Sequence, residues 1–240
     1  GATSNDANVA TANKYFNAIT LVDGTGLASN YALPSLTAAS ANNTVTINPL
    51  TVTLNSSTAT KVYDGNASLT GNQITISGLI GSQTLTYTGA TANSANVGAG
   101  NYITGMTLAN GSNGGLASNY VLPTMDVTNA AVSITPKSVS IAGVKTYDAT
   151  TGLSGNQVII TGLVGIQTLN FSAAAANDAN VATANKYFSA ITLANGTNGG
   201  LASNYTLPSL TAAGASNAVT ITKAALTVTA ANKSMTYGDS

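Results

Sequence analysis

The sequence Gly-Gly-Leu-Ala-Ser-Asn-Tyr at Gly114–Tyr120 occurs again without change at Gly199–Tyr205. A third copy with one substitution stands at Thr25–Tyr31. The tyrosines that close the three copies are 89 and 85 residues apart. This spacing is about the length of one small β-sandwich domain, so the motif predicts the same corner in successive domains.

Between the copies, short segments alternate polar and apolar residues, which is the period of a half-buried strand. Thr44–Ile47, Leu50–Leu54 and Leu226–Thr229 are examples, and Asp-Gly or glycine-rich turns such as Asn110–Gly115 separate such segments. About seven strands per repeat are expected. The sequence therefore predicts an all-β fold of tandem immunoglobulin-like antiparallel β-sandwich repeats of about 85 residues, with β-grasp-like repeats as the alternative.

The repeat divides the chain into four parts. Asp6–Phe16 is identical to Asp178–Phe188, which lies late in a complete repeat, so the chain begins within a repeat. The predicted parts are the C-terminal half of a repeat, two complete repeats, and the first strand or strands of a following repeat, at residues 1–49, 50–136, 137–223 and 224–240. We expect either a piece of a continuous fibre, or chain ends that complete one another between molecules by strand addition.

The charge inventory excludes several classes of function. Seven lysines and seven aspartates give a net charge of zero, and the chain has no Arg, Glu, His, Cys or Trp. Nucleic-acid binding needs clustered basic residues, and anionic membranes attract polybasic runs, so neither partner is expected. No apolar run approaches the ~18 residues of a membrane span, and no membrane insertion is expected.

The residue types also argue against catalysis. Without His or Cys, the usual nucleophilic arrangements cannot be assembled. Tyr63-Asp64 and Tyr147-Asp148 lack the second nearby carboxylate that glycosidase chemistry needs, so we interpret both aspartates as turn residues. No Asp-x-Asp cluster offers the oxygens that calcium requires. The sequence predicts no enzyme, no cofactor and no metal site.

The tyrosines of the repeated motif are candidates for structural corners. Tyr31, Tyr120 and Tyr205 each follow a turn and precede an extended segment. A buried tyrosine hydroxyl needs a hydrogen-bond partner, and a local backbone carbonyl is the nearest one. Tyr63 and Tyr147, with their aspartates, are further corner candidates.

A carbohydrate-binding module is the competing class. Its support is limited to Tyr15, Tyr102 and Tyr187, which could form a small stacking platform beside asparagine-rich loops and contact a surface polysaccharide. The low aromatic content of 5% and the missing tryptophan count against it.

Four stretches resemble the YDG repeat, and they recur in order; they are Lys61–Gly65, Asn96–Tyr102, Leu116–Tyr120 and Ile134–Lys137. Met235–Asp239 is similar to the start of the related MBG repeat. The resemblance implies stalk domains of filamentous-haemagglutinin-type surface adhesins of Gram-negative bacteria, with no catalytic residues. Ala149 replaces the glycine of the Tyr-Asp-Gly motif in the second full repeat, which argues against a functional role for that glycine.

Together these observations predict an extracellular, bacterial cell-surface role as the stalk or fibre of an adhesin in cell adhesion or biofilm. The expected partners are neighbouring repeats of the same chain and identical chains in a filament. A carbohydrate-binding module, and a filament subunit joined by strand addition, remain the alternatives.

Overall fold

The computed structural model describes residues 1–55, 60–98 and 101–238. Parts of two stretches quoted above, Asn96–Tyr102 and Met235–Asp239, lie outside the described residues. The described chain is all-β, with strands in small sheets and short 3-10 turns. It forms two compact units, Gly1–Thr135 and Pro136–Ser240. The finer four-part division stays a prediction.

Unit 1 contains ten strands and three 3-10 turns among its described residues. The strands are β1 (Ala2–Ser4), β2 (Phe16–Ile19), β3 (Leu50–Thr51), β4 (Thr53–Asn55), β5 (Thr60–Val62), β6 (Thr75–Ser77), β7 (Leu85–Ala92), β8 (Ile103–Asn110), β9 (Tyr120–Val121) and β10 (Ser133–Thr135). The 3-10 turns are Ala28–Asn30, Gly71–Gln73 and Ala117–Asn119. Strand pairs β1–β2, β4–β6 and β7–β8 are antiparallel, whereas β3–β9 and β5–β10 are parallel.

Unit 2 contains seven strands and two 3-10 turns among its described residues. The strands are β11 (Lys137–Ser138), β12 (Ser140–Thr146), β13 (Val158–Thr161), β14 (Leu169–Ala176), β15 (Phe188–Asn195), β16 (Tyr205–Thr206) and β17 (Asn217–Thr222). The 3-10 turns are Gly155–Gln157 and Ala202–Asn204. Strand β12 is central, antiparallel to β13 and parallel to β17. The other pairs are β14–β15, antiparallel, and β11–β16, parallel.

Each unit has a small aliphatic core. Unit 1 buries Val52, Leu54, Leu69, Ile74, Ile103, Val132 and Ile134. Unit 2 buries Val139, Ile141, Leu153, Phe188, Ile191, Val219 and Ile221. Phe188 is fully buried and lies against Gly143, where an added Cβ would be 2.7 Å from the ring. Cores of this size leave much of the stability to hydrogen bonding, so polar contacts decide where the loops lie.

The expectation of purely antiparallel pairing is wrong. Four strand pairs are parallel, and each joins a strand from the start of a predicted repeat to one from its end. Parallel strands need a long crossover connection, which the intervening strands provide. The all-β class is therefore confirmed, while the sandwich arrangement stays a prediction.

Two segments predicted to be strands are described by the structure but do not form strands. Thr44–Ile47 and Leu226–Thr229 both alternate polar and apolar residues, yet neither is a strand. The counterparts of Thr44–Ile47 are β10 and β17, which pair with β5 and β12. Among the described residues, no counterpart of β5 pairs with Thr44–Ile47. Leu226 and Val228 are 86% and 81% exposed, which shows that this segment buries no apolar face.

The predicted glycine-rich turn at Asn110–Gly115 packs tightly against the carbonyl of Thr84. Gly111 donates its N–H to the carbonyl of Gly115 at 3.0 Å. An added Cβ would lie 2.1 Å from the Thr84 oxygen at Gly111 and 1.9 Å from it at Gly115. Glycine is required at both positions because of this close backbone approach.

We expect Gly115→Ala to lower the free energy of unfolding by about 2–3 kcal/mol, since the turn must shift away from Thr84. Gly105→Ala is the matched control, because a Cβ there meets nothing within 4 Å. The control should be neutral or stabilising by up to about 1 kcal/mol. Urea unfolding followed by circular dichroism measures both; equal effects would contradict the close-approach explanation.

Candidate functional site

The Tyr-Asp-Gly stretch of unit 1 is organised around the side chain of Lys61, on strand β5. Its ammonium Nζ donates to the backbone carbonyls of Asn66 at 2.9 Å and Ser68 at 2.8 Å. The side-chain oxygen of Asn66 is at 3.0 Å, and a carboxylate oxygen of Asp64 is at 2.8 Å. The Lys61 side chain is 2% exposed. We call this arrangement the lysine loop.

Unit 2 builds the same lysine loop around Lys145, on strand β12. The Lys145 ammonium donates to the carbonyls of Thr150 at 3.1 Å and Gly152 at 2.7 Å. It also contacts the Thr150 hydroxyl at 3.1 Å and the Asp148 carboxylate at 2.7 Å. The Lys145 side chain has no exposed surface. A buried ammonium is tolerated only when it is paired and fully hydrogen-bonded, and both loops satisfy this requirement.

The aspartates of the lysine loops stay ionised. Hydrogen bonds from Lys145, then from the N–H and hydroxyl of Thr150, lower the pKa of Asp148 from 3.8 to about 2. At Asp64, burial is the largest influence and favours the neutral form, but hydrogen bonds from Lys61 and the Asn66 N–H outweigh it and lower the pKa. The carboxylates therefore supply the countercharge of the buried lysines and also close the turn, as predicted for Asx turns.

The glycine of the Tyr-Asp-Gly motif has a conformational role. Gly65 has a φ of 84°, and Ala149, at the equivalent place in unit 2, has a φ of 66°. An alanine in this left-handed region is strained because its Cβ crowds the backbone. The glycine is therefore favoured at this position by backbone conformation, and the prediction that it has no functional role stays a prediction.

Ala149→Gly should stabilise unit 2 by about 0.5–1 kcal/mol, since relief of left-handed strain exceeds the extra entropy of an unfolded glycine. Gly65→Ala is the reciprocal change, and it should destabilise unit 1 by a similar amount. Both shifts are measurable by thermal unfolding followed by circular dichroism. A destabilising Ala149→Gly would show that the strain is compensated elsewhere in the loop.

The lysine loop also predicts acid sensitivity. Because the folded pKa of Asp148 lies below 3.8, its contribution to stability is present above about pH 4 and is lost as the pH falls towards 2. Asp148→Asn should therefore lose less stability than the parent chain between pH 4 and pH 2. Urea unfolding across that range measures the slope. Parallel pH profiles for the two proteins would overturn the assignment.

The tyrosines of the repeated motif are held by a different partner from the one expected. The hydroxyl of Tyr120 accepts the N–H of Ile80 at 3.1 Å and donates to the side chain of Gln83 at 2.5 Å. In unit 2, the hydroxyl of Tyr205 accepts the N–H of Val164 at 3.0 Å and donates to Gln167. These partners lie about 40 residues upstream, so each tyrosine hydroxyl holds a distant loop through a backbone N–H and a glutamine side chain.

The other predicted corner tyrosines differ in burial. Tyr31 is 69% exposed, whereas Tyr120 and Tyr205 are 7% and 5% exposed. Tyr63 is buried and Tyr147 is 39% exposed. The backbone N–H groups of Tyr63 and Tyr147 donate to the last residue of β10 and of β17, at 2.9 and 2.8 Å.

The asparagine before Tyr120 joins the first part of unit 1 to the rest of it. Asn119 ends the 3-10 turn of the motif, and its side-chain oxygen accepts the N–H of Val9 at 2.8 Å. Its amide nitrogen donates to the side-chain oxygen of Asn8, also at 2.8 Å. Both ends of the amide are therefore engaged by residues more than 100 positions away. This contact ties the predicted half-repeat 1–49 to the repeat that follows it.

The loop that receives Asn119 has its own buried lysine. The Lys14 ammonium donates to the carbonyls of Val9, at 2.9 Å, and Thr11. The N–H of Asn8 and the hydroxyl of Thr11 bind Asp6 and lower its pKa, the former most strongly. The contacts of Lys14 and Asp6 therefore hold the shape of this loop independently of Asn119.

Sequence reasoning missed a second pair of buried groups, the asparagines that bridge strands. Asn217 accepts the Phe188 N–H at 2.8 Å and donates to the carbonyls of Phe188, at 3.1 Å, and Ser209, at 2.9 Å. Asn43 makes the same contacts in unit 1 with Phe16 and Ser35. The available signal was an asparagine recurring immediately before, or at the start of, an alternating segment.

The tyrosines proposed for glycan contact lie in separate hairpins. The N–H groups of Tyr15, Tyr102 and Tyr187 each donate to an asparagine side chain ten or nine residues upstream. Tyr187 also lines an open groove with Asn185 and Thr211. Glycan contact stays a prediction. Nowhere in the described parts of the chain do three His, Cys, Asp or Glu side chains form a set that could hold a metal ion.

The comparisons with known proteins define the class of one part of the chain. A YDG domain is found at residues 44–130, a span that contains the lysine loop of Lys61 and the corner of Tyr120. No curated protein and no solved structure matches the chain. No helix among the described residues has the length and apolar character needed to cross a membrane.

Proposed function

We propose that this chain is a structural repeat region, the stalk or fibre of an extracellular bacterial adhesin of the filamentous-haemagglutinin type in Gram-negative bacteria. In this proposal, YDG-type units follow one another as immunoglobulin-like or β-grasp-like repeats. Their partners are neighbouring repeats and identical chains. The YDG domain at residues 44–130 is the starting point of the proposal, and three features of the molecule support it.

The observation that carries the proposal is the Asn119 contact. An amide that donates and accepts at the same time fixes both the distance and the direction between two segments. Here it fixes the half-repeat 1–49 to the following repeat through Asn8 and Val9. A contact of this kind suits a protein that must keep consecutive repeats in register under load.

The use of the polar side chains supports the same role. The buried ammonium groups of Lys14, Lys61, Lys145 and Lys186 all contact oxygens of their own loops. These groups stabilise backbone conformation and are turned away from any incoming ligand. Loops closed in this manner need neither a disulfide nor a bound metal to keep their shape.

The mixed sheet of unit 2 favours the β-grasp-like alternative over a purely antiparallel sandwich. Strand β12 lies between β13 and β17, and it pairs with the first antiparallel and with the second in parallel over six residues. A strand near the start of a repeat that pairs with both the next strand and the last strand joins the two ends of that repeat directly. Tension applied at the ends would therefore act on a parallel pair.

Antibodies raised against the chain test its location in the bacterium that produces it. Intact cells should be labelled, and protease treatment without lysis should remove the labelling. A cytoplasmic protein, labelled only after lysis, is the control. Labelling of this chain only after lysis would overturn the proposal.

Adhesion in the presence of excess soluble chain separates the stalk from the carbohydrate-binding alternative. A stalk should leave adhesion of the parent cells unchanged, since it does not contact the receptor. A carbohydrate-binding module should compete, and Tyr187→Ala, in the groove of unit 2, should abolish that competition. Competition with this dependence would favour the glycan-binding function.

A further inference from the structure

A loop in unit 2 repeats the geometry of the loop that receives Asn119. Residues Asp178–Phe188 are identical in sequence to Asp6–Phe16. The Asp178 carboxylate accepts the N–H of Asn180 at 2.5 Å and the hydroxyl of Thr183 at 3.0 Å. The Lys186 ammonium donates to the carbonyls of Val181, at 3.0 Å, and Thr183. We call residues 178–183 the receptor loop.

The receptor loop presents the groups that bind an asparagine side chain in unit 1. The N–H of Val9 and the side-chain oxygen of Asn8 hold Asn119 there, and their counterparts are Val181 and Asn180. Asn180 is exposed, whereas Asn8 is half-buried beneath its partner. Among the described residues, the Val181 N–H donates to no acceptor. The loop therefore offers a preformed donor, the Val181 N–H, and a preformed acceptor, the side-chain oxygen of Asn180.

The matching corner is present at the other end of the chain. Leu27–Tyr31 has the sequence of Leu116–Tyr120 and forms the same 3-10 turn, with the Asn30 N–H donating to the carbonyl of Leu27 at 3.0 Å. The corresponding bond in the other corner, from Asn119 to Leu116, is also 3.0 Å. Asn30 is exposed, and its side chain contacts no polar group within the described ranges.

We infer that the receptor loop of one molecule binds the Leu27–Tyr31 corner of a second copy of this chain. The Val181 N–H donates to the side-chain oxygen of Asn30, and the Asn30 amide nitrogen donates to the side-chain oxygen of Asn180. The contact joins two different surfaces, so it is heterologous and can extend into open chains. It differs from strand addition because it joins a loop to a 3-10 turn and uses no sheet edge.

The expected affinity is low. Both surfaces hold their bound-state geometry without a partner, so little ordering is required on association. The apolar area is small, however, so we expect a dissociation constant of about 0.1–1 mM, at the weak end of specific association. This inference deepens the proposed fibre role, and it rests on that role for its biological setting. The contact itself depends only on the purified chain, so it can fail while surface labelling still succeeds.

Sedimentation equilibrium from about 0.01 to 1 mM tests the contact. The parent chain should show a mass that rises continuously with concentration. Asn30→Ala should abolish association because it removes both hydrogen bonds, and Asn180→Ala should weaken it about tenfold. Asn156→Ala, an exposed asparagine of unit 2, is the control and should associate like the parent chain.

Mixing the two variants gives the sharpest result. Asn30→Ala keeps its receptor loop and Asn180→Ala keeps its corner, so an equimolar mixture should form dimers with parental affinity. Larger species need the weakened loop of Asn180→Ala, so they should form about tenfold less readily. Asn30→Ala should unfold at the parental temperature, since the Asn30 side chain has no polar partner in the described chain. Asn180→Ala should unfold slightly below it, since the Asn180 side chain also hydrogen-bonds the Asp178 carboxylate. A parent chain that stays monomeric at about 1 mM would overturn the inference. So would association that survives Asn30→Ala but is lost when residues 224–240 are deleted, because that result assigns the contact to the tail.

Discussion

The placement of a lysine ammonium among backbone carbonyls is the constraint on which the loops of this protein depend. Lys61 on β5 and Lys145 on β12 have side chains that are 2% and 0% exposed. Each ammonium donates to carbonyl oxygens of the loop that follows its strand. Leaving such a charge buried without partners would cost several kcal/mol, so the loop has little freedom once the strand has formed. These polar contacts fix the loops beside a small apolar core, which contains few aromatic residues.

The same solution is varied between repeats. Lys14 and Lys186 hold equivalent loops through carbonyl oxygens, whereas Asn101, at the corresponding place between them in sequence, is a buried amide that donates to the carbonyl of Asn96 at 2.9 Å. The amide needs no countercharge, and the residue aligned with Asp6 and Asp178 is the neutral Ser94. The exchange of lysine for asparagine is thus matched by the exchange of aspartate for serine.

The strand content and the turns could be predicted from local pattern, because alternation and glycine-rich sequences act within a few residues. Pairing could not, since the parallel contact of β12 with β17 joins residues 76 positions apart. Thr44–Ile47 shows the same limit: the pattern of a strand is present, but a strand forms only with a partner. The buried lysines were missed because hydrophobicity predicts a buried Val144 and an exposed Lys145. The structure has the reverse, with Val144 53% exposed and Lys145 buried. The contact of the Tyr120 hydroxyl with the loop of Ile80 and Gln83 could not be predicted either, because its partners are distant in sequence.

The burial of the lysines has a consequence for proteolysis. Trypsin-type proteases cut after lysine or arginine, and this chain has no arginine. Lys14, Lys61, Lys145 and Lys186 are buried in the loops they organise, and Lys137 is half-buried in strand β11. Exposed lysines are left at positions 223 and 233, after the last strand of unit 2. The side chains that shape the folded loops are therefore also the ones that a basic-residue protease cannot reach until those loops open.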